Sequence, residues 1–154
     1  MITCIRTDSG NTDFIALVKE LDADLAIRDG DEHAFYAQFN KIDKLRHVVV
    51  AYLGSRPIGC GAIKEYEAGT VEVKRMFVLP SQRGQGTASI ILQYLEDWGR
   101  EMNYQKCILE TGVKQPEAIG LYKKRGYRII ENYGQYVNVL NSICFEKIIA
   151  GNKL

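Results

Sequence analysis

The sequence predicts an α+β fold: a mixed, mostly antiparallel sheet of about six to seven strands flanked by about four helices. Three observations carry that expectation. Short β-branched runs recur along the chain, separated by Gly, Pro, Asn and Asp clusters. Between some of them, apolar residues return at three- and four-residue spacing, the mark of an amphipathic helix. One segment, Val71 to Ile91, passes from strand through a glycine loop into a helix, a crossover rather than a hairpin. A single domain over residues 1–154 is the expected count, with enough chain to bury a sizeable core.

Ile2 to Thr7 reads as a strand, followed by turn chemistry at Asp8-Ser-Gly-Asn11. From Thr12 the apolar positions Phe14, Leu17, Val18, Leu21 and Leu25 make one helical face, closed by Gly30. A shorter helix around Glu32 to Phe39 carries His33, Phe35, Tyr36 and Phe39. His33, near an exposed turn, reads as a surface residue, and His47 as a structural one at a strand start. Arg46 to Leu53 and Ile58 to Tyr66 are strands joined by a hairpin turn at Gly54-Ser-Arg-Pro57. Glu67-Ala-Gly69 turns the chain into the strand Val71 to Leu79, which Pro80 stops because it has no N–H for a ladder. The helix that follows shows Ile91, Leu95, Trp98 and Met102 on one face, and Lys106 to Thr111 is the next strand.

The next helix has clear boundaries. Pro116 takes its first position and Glu117 its positive end. Lys123, Lys124 and Arg125 crowd the negative end before Gly126. Tyr127 to Ile130 is a strand, Glu131 to Asn138 a loop with Tyr133, Gly134 and Tyr136, and Ser142 to Ile149 the last strand.

Composition excludes several classes. With 20 basic and 19 acidic residues the net charge is +1, so no basic stripe argues for nucleic acid and no charge block for a disordered tail. The start, Met-Ile-Thr-Cys-Ile-Arg, lacks the pattern of a signal peptide, and no apolar run approaches a membrane span. A cytoplasmic protein with no membrane partner is expected. Cys4, Cys60, Cys107 and Cys144 stand singly, which suits neither a metal site nor a redox pair. They read as small buried thiols, and no metal is expected.

The glycine loop is the chemical clue. After a strand and before a helix, free backbone N–H groups and the positive helix end converge on an anion, and Gly84 and Gly86 let the backbone close on it. A Walker loop would need a lysine where Gly86 is followed by Thr87 and Ala88. A dinucleotide fingerprint would need a third glycine where Ser89 stands. A bare pair of glycines most often just ends a strand and caps a helix.

What the segment does match is Arg83-x-x-Gly86-x-Ala88, which resembles the Arg/Gln-x-x-Gly-x-Gly/Ala motif of the GNAT superfamily of N-acetyltransferases. Further on, Gln115-Pro-Glu-Ala118-Ile-Gly-Leu121-Tyr122-Lys-Lys-Arg-Gly126-Tyr127 resembles that family's Asn-x-x-Ala-x-x-Leu-Tyr-x-x-x-Gly-Phe/Tyr helix, with glutamine in place of asparagine. The resemblance covers roughly Val71 to Tyr127; the rest matches only in element order. It implies a GNAT-like fold and acetyl-CoA as cosubstrate. It implies that Arg83, Gly84, Gln85, Gly86, Thr87, Ala88 and Ser89 bind the pyrophosphate. It also implies that main-chain groups of Met76, Phe77 and Val78 align the pantetheine arm, that one of their N–H groups serves the thioester oxygen, and that Gln115 touches the cofactor arm. Independently, the alternation of Val71 and Val73 breaks at Lys74-Arg75-Met76, which is compatible with a β-bulge.

The implied reaction is acyl transfer to a neutral amine. A lysine-like amine is neutral in only on the order of one molecule in a thousand at pH 7, and selecting that form costs roughly 4–5 kcal/mol. A nearby carboxylate lowers the cost. Glu72 is the first candidate and Glu110 the second, with water as a further route; an ion pair of Glu72 with Lys74 or Arg75 explains it equally well. By resemblance, Tyr122 is the general acid: a phenol stays protonated at neutral pH and can hydrogen-bond to developing charge on sulfur. No cysteine argues for an acyl-enzyme, so direct transfer in a ternary complex is expected.

The acceptor, an amine of a small molecule or peptide, would meet Phe35, Tyr36 and Phe39 on one side and Tyr133 and Tyr136 on the other; core packing accounts for these aromatics as well. A homodimer is possible, with Ser142 to Ile149 as its edge. The alternatives are a non-catalytic acyl-CoA-binding or sensing module, and a nucleotide-binding protein unrelated to CoA.

Overall fold

The computed structural model describes residues 1–30 and 44–151. Seven strands form one sheet: β1 (Ile2–Thr7), β2 (His47–Leu53), β3 (Arg56–Glu67), β4 (Thr70–Val78), β5 (Lys106–Gly112), β6 (Arg128–Ile130) and β7 (Ser142–Ile148). Their order is β1-β2-β3-β4-β5-β7-β6. The β4–β5 pair is parallel; β1–β2, β2–β3, β5–β7 and β6–β7 are antiparallel. Three α-helices lie among the described residues: α1 (Thr12–Asp29), α2 (Thr87–Glu101) and α3 (Pro116–Lys124). The helix expected over Glu32 to Phe39, with His33 and its aromatics, lies outside the described residues.

The chain divides into two compact units. The first comprises Met1–Lys64 and Val73–Leu95. Here Asn11 caps α1, its side chain accepting from the Phe14 N–H at 3.0 Å, and Phe14, Leu17, Val18 and Leu21 are buried as their spacing requires. The hairpin between β2 and β3 is tighter than expected. Gly54 (φ 63°) turns the chain, and Pro57 lies inside β3 opposite Tyr52, where the register shifts between Ala51 and Tyr52. A proline withholds its ladder donor, and an irregular pairing is where a sheet tolerates that.

Two glycines of β3 let α2 and the end of β4 close on the strand. A Cβ on Gly61 would meet the Met76 sulfur at 2.5 Å and Leu95 Cδ1 at 2.9 Å. One on Gly59 would lie 2.9 Å from both the Phe77 carbonyl oxygen and Ile91 Cδ1. Sulfur at the end of a flexible side chain can move; a strand carbonyl cannot. Gly59→Ala is therefore expected to lower unfolding free energy by about 1–3 kcal/mol, the usual cost of overpacking. Urea melts check it: an unchanged midpoint would mean that the strands have slack at this position.

The second unit comprises Glu65–Glu72 and Glu96–Leu154. Its core includes Val71, Cys107, Ile108, Leu109, Tyr122, Tyr127, Cys144 and Phe145. Pro116 opens α3, and Lys123 and Lys124 occupy its last turn, as the boundary signals require. Glu96, fully buried, accepts from the Tyr127 hydroxyl at 3.0 Å and from Lys147 Nζ at 2.7 Å. A buried carboxylate is tolerated when donors meet it in this way. On β7, Glu146 pairs with Lys106 of β5 and Arg128 of β6, which holds its carboxyl below the usual range, the Arg128 bond being the largest cause.

One expectation is corrected. The segment Ser142 to Ile149 is not an edge: β7 runs between β5 and β6, paired on both sides. Its central residues, Cys144 to Glu146, are paired on both sides, so the strand offers no continuous open ladder to a second copy. The edges of the sheet are β1 and β6.

Candidate active site

In the first unit, the glycine loop is assembled as its composition requires. The Leu79 N–H bonds to the Ile58 carbonyl at 2.9 Å, then Pro80–Gln82 makes a single 3₁₀ turn. Gly84 and Gly86 take φ of 79° and 82°, in the left-handed region that favours glycine. The Ile90 N–H closes the first turn of α2 on the Gly86 carbonyl at 3.1 Å. The amides of Thr87, Ala88 and Ser89 have no acceptor four residues back within the helix. A Cβ at Gly84 or Gly86 would meet nothing within 4 Å, so each glycine faces open space.

Arg83 braces this loop. Its Nε donates to the Val78 carbonyl at 2.8 Å, its guanidinium lies 5.6 Å from the Phe77 ring centre, and Nη2 is 3.9 Å from Asp24. Gln85 is exposed, Ala88 and Ser89 are half-buried, and Thr87 is buried with its hydroxyl oxygen unpaired. Helix-start amides, side-chain-free glycines and a nearby cation fit a diphosphate.

Upstream, Arg75 has φ 59°, rare for a residue with a side chain. Within β4, Lys74 and Met76 are half-buried while Arg75, Phe77 and Val78 are buried. Burial alternates regularly from Lys74 to Phe77, although the irregular backbone of Arg75 lies inside the stretch Lys74 to Met76 where a bulge is expected. Its side chain, 2% exposed, sends Nη2 to Asp22 Oδ1 at 2.8 Å. Arg75 therefore pairs with α1, which answers one of the two ion pairs considered for Glu72.

In the second unit, Glu72 is 9% exposed and accepts from the Tyr133 hydroxyl, which meets Oε2 at 2.7 Å. Tyr122, on α3, is 6% exposed. It packs against Tyr127 (centroids 5.7 Å apart, 64°) and Phe145 (5.9 Å, 47°). Burial, with a smaller contribution from the Glu110 carboxylate, pushes its phenol above the ordinary value. The phenol is a hydrogen-bond donor at any working pH.

Glu110 and Glu72 both raise the Tyr136 phenol, after burial, and both act on Cys144. Electrostatics therefore bring Glu72, Glu110, Tyr122, Tyr133, Tyr136 and Cys144 into one neighbourhood of this unit. Gln115 caps α3 through its carbonyl, which accepts from Ala118 and Ile119 at 3.1 and 3.2 Å; its side-chain amide lies against Gly112.

The family's sequence model, described as the acetyltransferase (GNAT) family, matches residues 15–127, well over half of the chain. The chain belongs to the GNAT family. An "IAA acetyltransferase" of Azospirillum brasilense is 40% identical over 89 residues, 57% of this chain and 58% of that protein. The N-acetyltransferase YsnE of Bacillus subtilis is 30% identical over 99 residues, 63% of this chain and 66% of its own length. The matches thus span less than two thirds of these relatives. Among solved structures, a Klebsiella pneumoniae protein assigned as an acyl-CoA N-acyltransferase superposes with TM-score 0.80 at 29% identity, over 97% of this chain and 98% of that one. The PaiA N-acetyltransferase of Thermoplasma acidophilum, solved with coenzyme A, shares the fold, with TM-score 0.72 at 14% identity over 96% of this chain and 99% of that one.

The thiols of this GNAT chain are poor nucleophiles. Burial pushes Cys60 and Cys107 up to about 12 and Cys144 to about 11, so none is appreciably ionised near neutral pH. Among the described residues, no group of three or more His, Cys, Asp or Glu side chains could hold a metal ion. No described helix is long and apolar enough to cross a membrane.

Two partners escaped the sequence reading. Tyr133, expected to line an acceptor slot, also grips Glu72 from 61 positions away. Tyr127, expected within a strand, ends the α3 motif just before β6 and points its hydroxyl at the buried Glu96. Neither pairing has a signature in local spacing.

Proposed function

We propose that this protein transfers an acetyl group from acetyl-CoA to an amine of a small molecule or peptide, directly and without an acyl-enzyme. The observation that carries the reading is a buried, protonated phenol, Tyr122, under the influence of the Glu110 carboxylate, in the helix that matches the family motif. Binding CoA alone would not require such a group. Acetyl-CoA, when bound, supplies an activated acyl thioester. The amides from Gly84 to Ser89 take its diphosphate, with Arg83 holding the loop in shape. Main-chain groups of Met76 to Val78 align the pantetheine arm, just past the left-handed backbone of Arg75 (φ 59°). The side-chain amide of Gln115 serves the same arm.

Tyr122 holds its proton for the departing sulfur, and Glu72, with Glu110 as the second carboxylate, receives the proton of the incoming amine. Thiol release from acetyl-CoA, measured across a panel of amines and peptides with IAA included, tests the reading. Release that depends on one acceptor supports transfer. Saturable CoA binding with no thiol release on any acceptor would instead mark a sensing module.

A further inference from the structure

The loop between β6 and β7 is built more firmly than an acceptor-lining loop needs. Asn132 Nδ2 ties it across its base, donating to the Val139 and Ser142 carbonyls at 3.0 and 3.1 Å. Gly134–Tyr136 form a 3₁₀ turn whose Tyr136 N–H returns to the Tyr133 carbonyl at 2.9 Å. Gly134 has φ 53°, and a Cβ there would come within 3.1 Å of the Tyr66 hydroxyl, so glycine lets the loop lie on that ring. The result is a fixed Tyr133 ring, edge-on to Tyr66 (5.1 Å, 73°) and to Tyr136 (5.9 Å, 89°). Its hydroxyl then meets Glu72 Oε2 at 2.7 Å, a well-formed O–H···O bond.

We infer that Tyr133 is a positioning residue, clamped between Tyr66 and Tyr136, that fixes the orientation of the Glu72 carboxylate for the acceptor amine. This rests on the reading of Glu72 as the base. Tyr133 and Tyr136 on the loop and Cys144 on β7 all feel the Glu72 carboxylate, and Glu110 acts on Tyr136 and Cys144 as well. The first three are neutral at working pH, each pushed up first by burial. Tyr133 is raised next by Glu72 itself, so it remains a donor throughout. Removing the hydroxyl takes away the donor that fixes Oε2, so the carboxylate is no longer held where it can receive the proton of the amine.

Tyr133→Phe keeps the ring and its two edge contacts and deletes only the hydroxyl. Expected is a fall in kcat of roughly 10- to 100-fold, the scale of one lost hydrogen bond to a charged group, with the KM for the amine and CoA affinity by calorimetry unchanged. Glu72→Gln and the double variant separate the two claims. If the hydroxyl acts through Glu72, the second substitution adds nothing in the Glu72→Gln background. Wild-type turnover in Glu72→Gln would remove the base and this proposal with it. An impaired Glu72→Gln together with a fully additive Tyr133→Phe, or a Tyr133→Phe that raises KM while kcat stands, would leave the base standing and overturn the clamp. Thermal melts of all three variants identify any loss due to unfolding, and Tyr133→Trp, which also lacks the phenol, then provides a second version of the cycle.

Discussion

Replacing Tyr122 by phenylalanine is expected to lower kcat by roughly 100-fold or more, the usual contribution of a positioned general acid, while CoA binds as before. The ring sits between Tyr127 and Phe145 and keeps those contacts in the variant. What disappears is one O–H, held protonated by burial and by the Glu110 charge. If the phenol serves the departing sulfur, its loss acts on the transition state and spares the ground-state complex. A pre-steady-state measurement of thiol release, with CoA affinity measured separately, distinguishes the two. Unchanged turnover would reduce Tyr122 to a packing residue that the motif shares by descent.

Gly86→Val is expected to remove CoA binding altogether at accessible concentrations. Two effects add. Valine at φ 82° is strained, at a cost on the order of 1–3 kcal/mol. More directly, the space in front of Gly86 is open, and there the branched side chain would stand where the helix-start amides meet the diphosphate. Losing even two charge-assisted bonds weakens affinity by roughly 100-fold or more. Calorimetry with CoA checks this, beside a melt to confirm that the loop variant folds. Wild-type affinity would remove the phosphate assignment from this loop.

Much of the architecture was legible along the chain, because it is dictated by local rules. Helix boundaries followed from residues that act on their own neighbours: Pro116 opening α3, Gly30 and Gly126 closing helices, while the cap that Asn11 places on α1 emerged only from the structure. The strands followed from alternation and β-branching, and the left-handed backbone of Arg75 falls where the apolar alternation lapses along the chain. The glycine loop was legible for the same reason, since positive φ at Gly84 and Gly86 is a property of single residues. The last strand shows the limit. Its apolar composition suits an edge in contact with a second copy and a strand buried within a sheet alike, and only pairing on both sides by β5 and β6 decides between them.

What the sequence by itself determined is therefore the order of elements, the glycine loop and the motif tyrosine, each encoded within a few residues. What only the tertiary structure decided is partnership. Glu72 could have paired with its strand neighbour Arg75, but Arg75 goes to Asp22 and Glu72 to Tyr133. Such bonds join groups tens of positions apart, and their geometry is set by how loops and strands pack. Burial then makes each unmade bond costly enough that one arrangement prevails.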